Sequence, residues 1–542
     1  MDNQIDFHKY FPYETIRKQQ EYILSKLPNA KKRFLVIEAA PGTGKSAIAK
    51  TLADYYSSSY ILTATKQLQD QYKHEFKDVC IMKGKSNYKC AQDNYVYCNM
   101  AECNKDVSIK GDCLRKNLCT YYNIKNKAMR SKDLVTSYSY FFTFMKQQPD
   151  KSLIGSCFQK RDLLVIDECH LLEQQLTGWS SMNLVFKDLN EKYNFMSVLQ
   201  GDFQMFVALS AKHLDSGYTK ENQEYIYDLS ICINKRLEEL SAEIKSIDKD
   251  DAAYSSTMKL ISSLGNMAKK INMFNMSIDK KFWIIEPIAD GAGLTVQPLK
   301  VEKLFTEYVN PWAMKKVVFM SATILNVKLF CEELGIDQDD VDIIRVGSAF
   351  DPKKSPIYYT PAGKMNYKSI QSTMPNIVKY VDKIIDAHYT EKGIIHTGNY
   401  QIATEIKANS KYADRLLLRN GYESNEDLIK RHCDSPEPTI LLSPSLSTGT
   451  DLRDDLSRFQ VVVKMPFASL ADKRVKIKSE LNPEWYACEM LRTLIQACGR
   501  STRSEDDFSA TYILDSSLYY WLRKYYKMIP AQFKDRIVWN TK

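Results

Sequence analysis

Lysine and a hydroxyl close the stretch Arg33–Ser46, RFLVIEAAPGTGKS, at the end of a glycine-rich turn. It follows the phosphate-binding form G-x-x-x-x-G-K-[ST], with Ala39 in the first glycine's place and Gly42, Gly44, Lys45 and Ser46 in theirs. In such a turn the backbone of Ala40, Pro41, Gly42, Thr43 and Gly44 wraps a polyphosphate at a helix N-terminus. The Lys45 ammonium then neutralises the β and γ phosphates of ATP, and the Ser46 hydroxyl is a Mg²⁺ ligand. A second chemical group is DLLVIDECH at 162–170, an apolar strand that ends in acids. Downstream of a phosphate loop, Asp167 holds Mg²⁺ and Glu168 polarises the attacking water. The bland alternatives are a turn that binds nothing and a polar strand end; the order of strand, turn, Gly-Lys-Ser and helix speaks against both.

Cysteine supplies a third group. Of 13 in the chain, Cys90, Cys98, Cys103, Cys113 and Cys119 crowd into Gly84–Tyr122 with spacing C-x7-C-x4-C-x9-C-x5-C. That segment shows no apolar periodicity of its own, so thiolate bonds to a metal or cluster would have to hold it together. Zinc competes for the site, although its paired C-x2-4-C spacings are absent apart from one x4 interval. Cysteines elsewhere, such as Cys157, Cys232, Cys331 and Cys433, read as small core residues.

The elements that must position these groups alternate strand and helix. Phe34–Glu38 is a buried strand and Lys45–Tyr56 a helix; Tyr60–Ala64 and Lys66–Phe76 repeat the pair. Thr63, Thr65 and Gln69 at that strand's end touch a phosphate backbone or cap the helix. Asp133–Ser137 and Asp162–Asp167 continue the strands. From about Leu176 to Ile278 the pattern turns helical: Ile226, Leu229, Ile233, Leu237, Leu240 and Ile244 form one stripe, and Ile261, Leu264, Ile271 and Phe274 a second. Trp283–Leu299 reads as short strands, and Val317–Met320 as a strand ending in Ser321-Ala322-Thr323, hydroxyls that relay to a second site or cap the next helix. A second α/β set follows, with strands at Gly393–His396, Thr439–Ser443, Gln460–Lys464 and Ala510–Asp515 and no second phosphate loop. It carries Thr448-Gly449-Thr450-Asp451 and a helix from Trp485 into QACGRSTRSEDD. There Gln496, Arg500 and Arg503 fall at i, i+4 and i+7, either one phosphate-seeking face or a surface salt-bridged to Glu505 and Asp506. Near the start, Phe11-Pro12-Tyr13, Arg17 and Gln20 are a plain helix start or place an amide on an adenine edge.

Bulk properties bound the rest. At 542 residues several domains are expected. Hydrophobic residues at 44% and charged at 26% are ordinary for a globular chain, with no apolar run that would span a bilayer. The start MDNQIDFHKYF lacks a secretory pattern, which points to an intracellular, reducing setting. Basic residues exceed acidic ones by 75 − 66 = 9, compatible with a polyanionic partner but not decisive.

Taken together, APGTGKS, DECH, SAT and QACGRSTRS resemble the motifs of superfamily 2 helicases in their usual order. KGKSNYKC before the first cysteine and CTYY after the last resemble the XPD/DinG family of iron–sulfur DNA helicases, in compact, viral or phage-like form, as do FPYETIRKQQ and PFASLAD. The likeness implies an α/β fold of two RecA-like P-loop motor domains, with an iron–sulfur insert and a helical arch in the first. Its domains would be 1–83, 123–175 and 301–326 for the first motor, 84–122 for the cluster, 176–300 for the arch and 327–542 for the second motor. It implies ATP-driven movement on single-stranded DNA, usually 5′ to 3′, with tailed or forked duplex as substrate, acting as a monomer and at no membrane. By the same likeness Gln20 contacts adenine, Arg500 and Arg503 are arginine fingers, and Gln496 and Asp451 line the cleft. Cys90, Cys103, Cys113 and Cys119 would then hold a [4Fe-4S] cluster, with Cys103 preferred over Cys98. Ala39, Cys169 within the acidic motif and TGTD depart from the family's usual residues. The rival expectations are a DNA-stimulated ATPase that remodels or switches without unwinding, and a zinc-stabilised nucleic-acid-binding module with an inert motor.

Overall fold

The computed structural model describes residues 5–104, 107–145, 157–185, 220–248, 252–276, 283–288, 293–347, 351–421, 423–444, 452, 454–499 and 507–539. Its strands in chain order are β1 (Phe34–Ala39), β2 (Ser59–Thr63), β3 (Cys80–Met82), β4 (Asp133–Ser137), β5 (Arg161–Asp167), β6 (Met182–Val185), β7 (Trp283–Ile288), β8 (Gly293–Pro298), β9 (Ala313–Ser321), β10 (Val341–Val346), β11 (Ile357–Gly363), β12 (Gly393–His396), β13 (Leu416–Leu417), β14 (Ile440–Ser443), β15 (Phe459–Val462), β16 (Ala510–Asp515) and β17 (Ile537–Trp539).

Two seven-stranded sheets dominate, ordered β10-β1-β9-β5-β2-β4-β3 and β13-β14-β12-β15-β16-β11-β17. Neighbouring strands run parallel throughout both. Every residue of β2 and β5 is buried, the near-continuous apolar signature of a sheet covered on both faces by helices. In the first sheet Glu38 lies opposite Ser321, and Met320 opposite Asp167. The carboxyl ends of β1, β9 and β5 are therefore level, and the phosphate loop, the acidic pair and the SAT hydroxyls open on one edge.

The first sheet also takes β10, which pairs with β1 from Phe34–Val341 to Ala39–Val346. The first sheet thus takes in chain past residue 326, where the sequence reading ends the first domain. As an edge strand with only Val341 and Ile344 buried, β10 lacks the apolar run that marks its neighbours. Edge strands β13 and β17 of the second sheet are short and escape the sequence pattern for a similar reason.

Two insertions leave the first sheet. Between β3 and β4 lie the helices Val107–Arg115 and Thr120–Arg130 and a β-bridge between Lys89 and Tyr97. Cys98 and Tyr121 sink into the core of the first sheet, so this insert borrows apolar burial from its host. Between β5 and β9 the helices Lys220–Glu243 and Ala252–Met276 meet through Ile226, Leu229, Ile233 and Leu240 on one side and Leu264, Ile271 and Phe274 on the other. They rest on a small antiparallel sheet, β6-β8-β7. A strand at Met182–Val185 thus stands inside the region expected to be wholly helical, and 186–219 lies outside the described residues.

Arg161 ties the first sheet to the end of the cysteine insert. Nearly buried, it donates to the carbonyls of Ser59 (2.8 Å), Lys132 (2.8 Å) and Ala128 (2.9 Å), its guanidinium 4.4 Å from the Tyr60 ring. Arg161→Met fills similar volume but leaves those carbonyls without this donor. It is expected to cost on the order of 3 kcal/mol, read as a lower urea midpoint for unfolding.

Candidate active site

The loop after β1 turns through Gly42 (φ 78°) and Gly44 (φ 77°), left-handed conformations that disfavour a side chain. A Cβ on Gly44 would lie 2.2 Å from Nε2 of Gln20. Ala39 sits within regular β1, which explains why alanine serves at the position of the first glycine. Lys45 opens the helix Lys45–Tyr55, its Nζ donating to the Ala39 carbonyl at 3.2 Å. Thr43 closes the turn on the Ala40 carbonyl at 2.8 Å, and Arg17 donates to the Gly42 carbonyl at 2.8 Å. Gln20 is buried against this loop, and its Oε1 accepts from the Arg17 backbone N–H at 2.9 Å. The helix-start role of Gln20 is therefore real, with its amide turned to the loop.

On the neighbouring strand end, Asp167 is almost wholly buried and accepts from the Glu168 backbone N–H at 3.0 Å. Burial, and then the Glu168 charge, push its carboxyl up to about 7 against the pull of Lys45. Glu168 is held at φ 53°, a left-handed conformation rare for a non-glycine residue and common where chemistry is done. A buried acid beside a second acid and one lysine is short of positive charge, and its oxygens with the Ser46 hydroxyl are the kind of donors a divalent cation takes. Ser46 itself donates to Oε2 of Glu75 at 3.3 Å.

The second sheet reaches this edge through the helix Pro483–Cys498. Gln496 donates from Nε2 to Nε2 of His170 at 2.7 Å and to Thr323 Oγ1 at 3.1 Å. With Nε2 accepting, the proton of His170 is on Nδ1, 2.8 Å from Ser321 Oγ and 3.3 Å from Glu168 Oε2. The SAT hydroxyls thus bond His170, which meets Glu168, and Gln496 of the second sheet, while the next helix, Val327–Leu334, is capped by Asn326. Arg492 adds a bond to the Thr323 carbonyl at 3.0 Å. That helix ends at Cys498, so the described residues do not carry Arg500 and Arg503 on one face with Gln496; Arg500, Arg503 and Asp451 lie outside the described residues.

Thr65 caps the helix Lys66–Glu75 by accepting from Leu68 N–H at 3.2 Å, and Thr63 and Gln69 are buried. The capping alternative holds for Thr65, and burial keeps Thr63 and Gln69 away from any phosphate backbone.

In the cysteine insert, burial pushes the Cys103 and Cys113 thiols up, and each also feels Cys119 and Cys90. Cys98 is turned inward to the Lys89 carbonyl at 3.4 Å and the Thr120 hydroxyl at 3.8 Å. Among the described residues no three thiols come within 4.8 Å of one another. Thiolates on one zinc ion, with Zn–S bonds of about 2.3 Å, sit about 3.8 Å apart. One acidic trio does converge, Asp54, Asp78 and Asp133. The buried Lys50 ammonium bonds Asp54 and Asp78, and Ser59 donates to Asp133 at 2.7 Å, so the trio is already compensated.

His170 has a visible signal, the last letter of DECH. Glu75, Tyr72 and Arg492 have none, because only folding brings them to this edge, and the ion-paired Glu173, Arg474 and Lys478 meet away from it.

Two parallel α/β sheets, a phosphate loop and a bridge from one to the other are the architecture of a two-domain P-loop protein. A family model described as the helicase C-terminal domain matches residues 391–536, and one described as the res subunit of type III restriction enzymes matches 13–197. The ATP-dependent DNA helicase DinG of Photobacterium profundum is 26% identical over 254 residues, 43% of this chain and 36% of that protein. The ATP-dependent DNA helicase YoaA of Haemophilus influenzae is 21% identical over 90% of this chain and 88% of its own length. A solved XPD helicase structure superposes with TM-score 0.61 at 15% identity, covering 97% of this chain and all 100% of that one. By motifs, matches and fold the chain is an XPD/DinG-like superfamily 2 helicase. Among the described residues no helix is long and apolar enough to cross a membrane.

The ordinary carboxyl value for Asp167 is 3.8 and its folded value about 7, so the stability it contributes is full below about pH 3.8 and lost as pH rises through 7. Asp167→Asn is therefore expected to melt several degrees higher than the parent protein at pH 8 without metal, the gain shrinking toward pH 5. Thermal melts in EDTA across that range check it.

Proposed function

We propose that this chain is an ATP-dependent DNA helicase that moves on single-stranded DNA, 5′ to 3′, and parts tailed or forked duplex. One observation carries the reading: Gln496 of the second sheet reaches the acidic strand end and the SAT hydroxyls that share an edge with Lys45. A nucleotide cleaved there acts on both sheets at once. The names of DinG and YoaA, both ATP-dependent DNA helicases, support the same activity.

In this mechanism the backbone of Ala40–Gly44 cradles the phosphates, Lys45 neutralises the β and γ oxygens, and Gln20 meets the adenine. Glu168 takes a proton from the water that attacks the γ-phosphorus; the bond to the bridging oxygen breaks and leaves ADP and phosphate. Mg²⁺, held by Ser46 and Asp167, supplies charge neutralisation on the phosphate oxygens when bound. Arg500 and Arg503 follow directly on the Gln496 helix, so closing the cleft carries them to the γ-phosphate as fingers, with Gln496 and Asp451 lining the gap. His170 passes the state of Glu168 to Gln496. Each cycle shifts a sequence-independent grip on DNA phosphates, with aromatic rings stacking on bases. Cys90, Cys103, Cys113 and Cys119 hold a [4Fe-4S] cluster that ties the insert together. The protein works as a monomer inside the cell, where the DNA is.

Lys45→Ala should lower DNA-stimulated ATP hydrolysis by on the order of 100-fold or more. Strand displacement by the anaerobically purified parent protein should open 5′-tailed and not 3′-tailed duplex; hydrolysis without displacement of either would leave the remodeller reading instead. In the same preparations Cys103→Ser should lose most of about four irons per chain while Cys98→Ser keeps them, read by iron assay and visible absorbance.

A further inference from the structure

The helix Lys66–Glu75 places two residues beside the nucleotide edge that belong to no recognised nucleotide motif of the chain. Glu75 draws on two other segments and its own helix: its Oε2 accepts from the Ser46 hydroxyl and from the Tyr13 hydroxyl, each at 3.3 Å, and its Oε1 from Gln71 at 2.7 Å. One turn earlier on the same face is Tyr72, 1% exposed. Its hydroxyl finds no hydrogen-bond partner among the described residues. That hydroxyl lies in the field of Asp167, Glu75 and Glu168, and burial together with those carboxylates holds the phenol far above its ordinary value, firmly as an O–H donor. A buried donor without a partner costs roughly 1–3 kcal/mol, so its retention on the helix that carries Glu75 points to something that arrives with the nucleotide.

We propose that Glu75 and Tyr72 are positioning residues of the magnesium–nucleotide site. Glu75 takes the Ser46 hydroxyl proton in a hydrogen bond, which turns the Ser46 lone pairs to the cation. Tyr72 donates to the outer layer of ligands around Asp167 and Glu168. A serine oxygen that binds a cation must send its proton somewhere, and the acceptor the fold provides is Glu75. The inference rests on the reading of Lys45 and Ser46 as the ATP site. Outer partners of this kind carry 10–100-fold in metal affinity in well-measured sites, so the effect should be large enough to read directly.

The test is binding of a fluorescent ATP analogue to the full chain, with its cluster, in excess Mg²⁺ and separately in EDTA. Glu75→Ala and Tyr72→Phe should each lose roughly 10-fold of the tightening that Mg²⁺ confers, while metal-free binding stays within about twofold of the parent. Electron paramagnetic resonance of Mn²⁺ added with the analogue should show the same loss of ion affinity. Tyr72→Phe removes one oxygen and keeps the ring against Phe76, so its folding is preserved. Unchanged Mg²⁺ dependence in both variants would overturn the proposal. Equal weakening with and without Mg²⁺ would overturn it too, by assigning the pair to loop packing. A parent protein that binds no analogue in either condition would overturn the ATP-site reading itself, a distinct result.

Discussion

Parallel register is the constraint on which the chemistry depends. β1, β9 and β5 are consecutive in the sheet and their ends are level, so a loop, a hydroxyl pair and an acid pair from three distant parts of the chain meet without any of them being near in sequence. Side chains alternate faces along a strand, so a slip of one residue in β5 would exchange Asp167 with its neighbours and destroy the site. Continuous burial along β2 and β5 holds the register, because every slipped pairing trades fitted apolar contacts for voids. The same burial has an electrostatic consequence. It withholds water from Asp167, so the folded, metal-free edge is poised to accept positive charge, and the fold gives up stability at neutral pH to keep it so.

Beside the Arg492 bond to the Thr323 carbonyl and a core that Leu325 and Leu329 share with Trp485 and Leu491, two polar contacts between the sheets differ in chemistry. At the site, Gln496 and His170 meet amide to imidazole, a neutral bond whose separation leaves groups that water can satisfy. Away from it, the helix Lys473–Leu481 sends Arg474 and Lys478 onto Glu173, Lys478 also onto Glu333, and Arg474 onto the Pro298 carbonyl at 2.8 Å. Burial alone would push the Glu173 carboxyl up; Lys478 and Arg474 overcome it and hold the group below its ordinary value. Pulling such a knot apart strands a buried charge, which costs several kcal/mol. The two contacts therefore differ in how easily they yield. The yielding one adjoins the nucleotide, and the stiff one joins the second sheet to the root of the helical insert at β8.

Legibility followed the strength of local signals. β1, β5 and β9 announce themselves as apolar runs ending in turns or acids, and the two arch helices as stripes of three and four, so the layout of motor, insert and arch could be read directly. β10 was hidden because an edge strand needs only one buried face; VDIIRV alternates too loosely to separate from a loop. The phosphate loop and DECH are local in sequence, and their place at a strand end was legible. Glu75 and Tyr72 were not, since nothing near them marks a helix face as facing a loop about thirty residues upstream. Gln496 was legible as a cleft residue, but its partner His170 had only its place in the motif. Spacing does not tell Cys98 from Cys103; that Cys98 turns inward to the Lys89 carbonyl is visible only in the fold.

Sheet order also sets how the cysteine insert relates to the nucleotide edge. The insert leaves from β3 and returns by β4, adjacent strands at the far side of the first sheet. From β1 to β4 is four strand spacings, about 19 Å, and β3 lies one further. At that distance charges on the insert are largely screened from Lys45 by salt wherever water intervenes, while β5 with Asp167 lies two spacings from β4, about 10 Å. Influence must instead pass through packed elements, and the packing is there: Cys98 and Tyr121 share a core with Val36 of β1 and Ile166 of β5. An event at the thiols reaches the phosphate loop only by moving that core, and a core at crystal-like density moves as a body rather than by degrees.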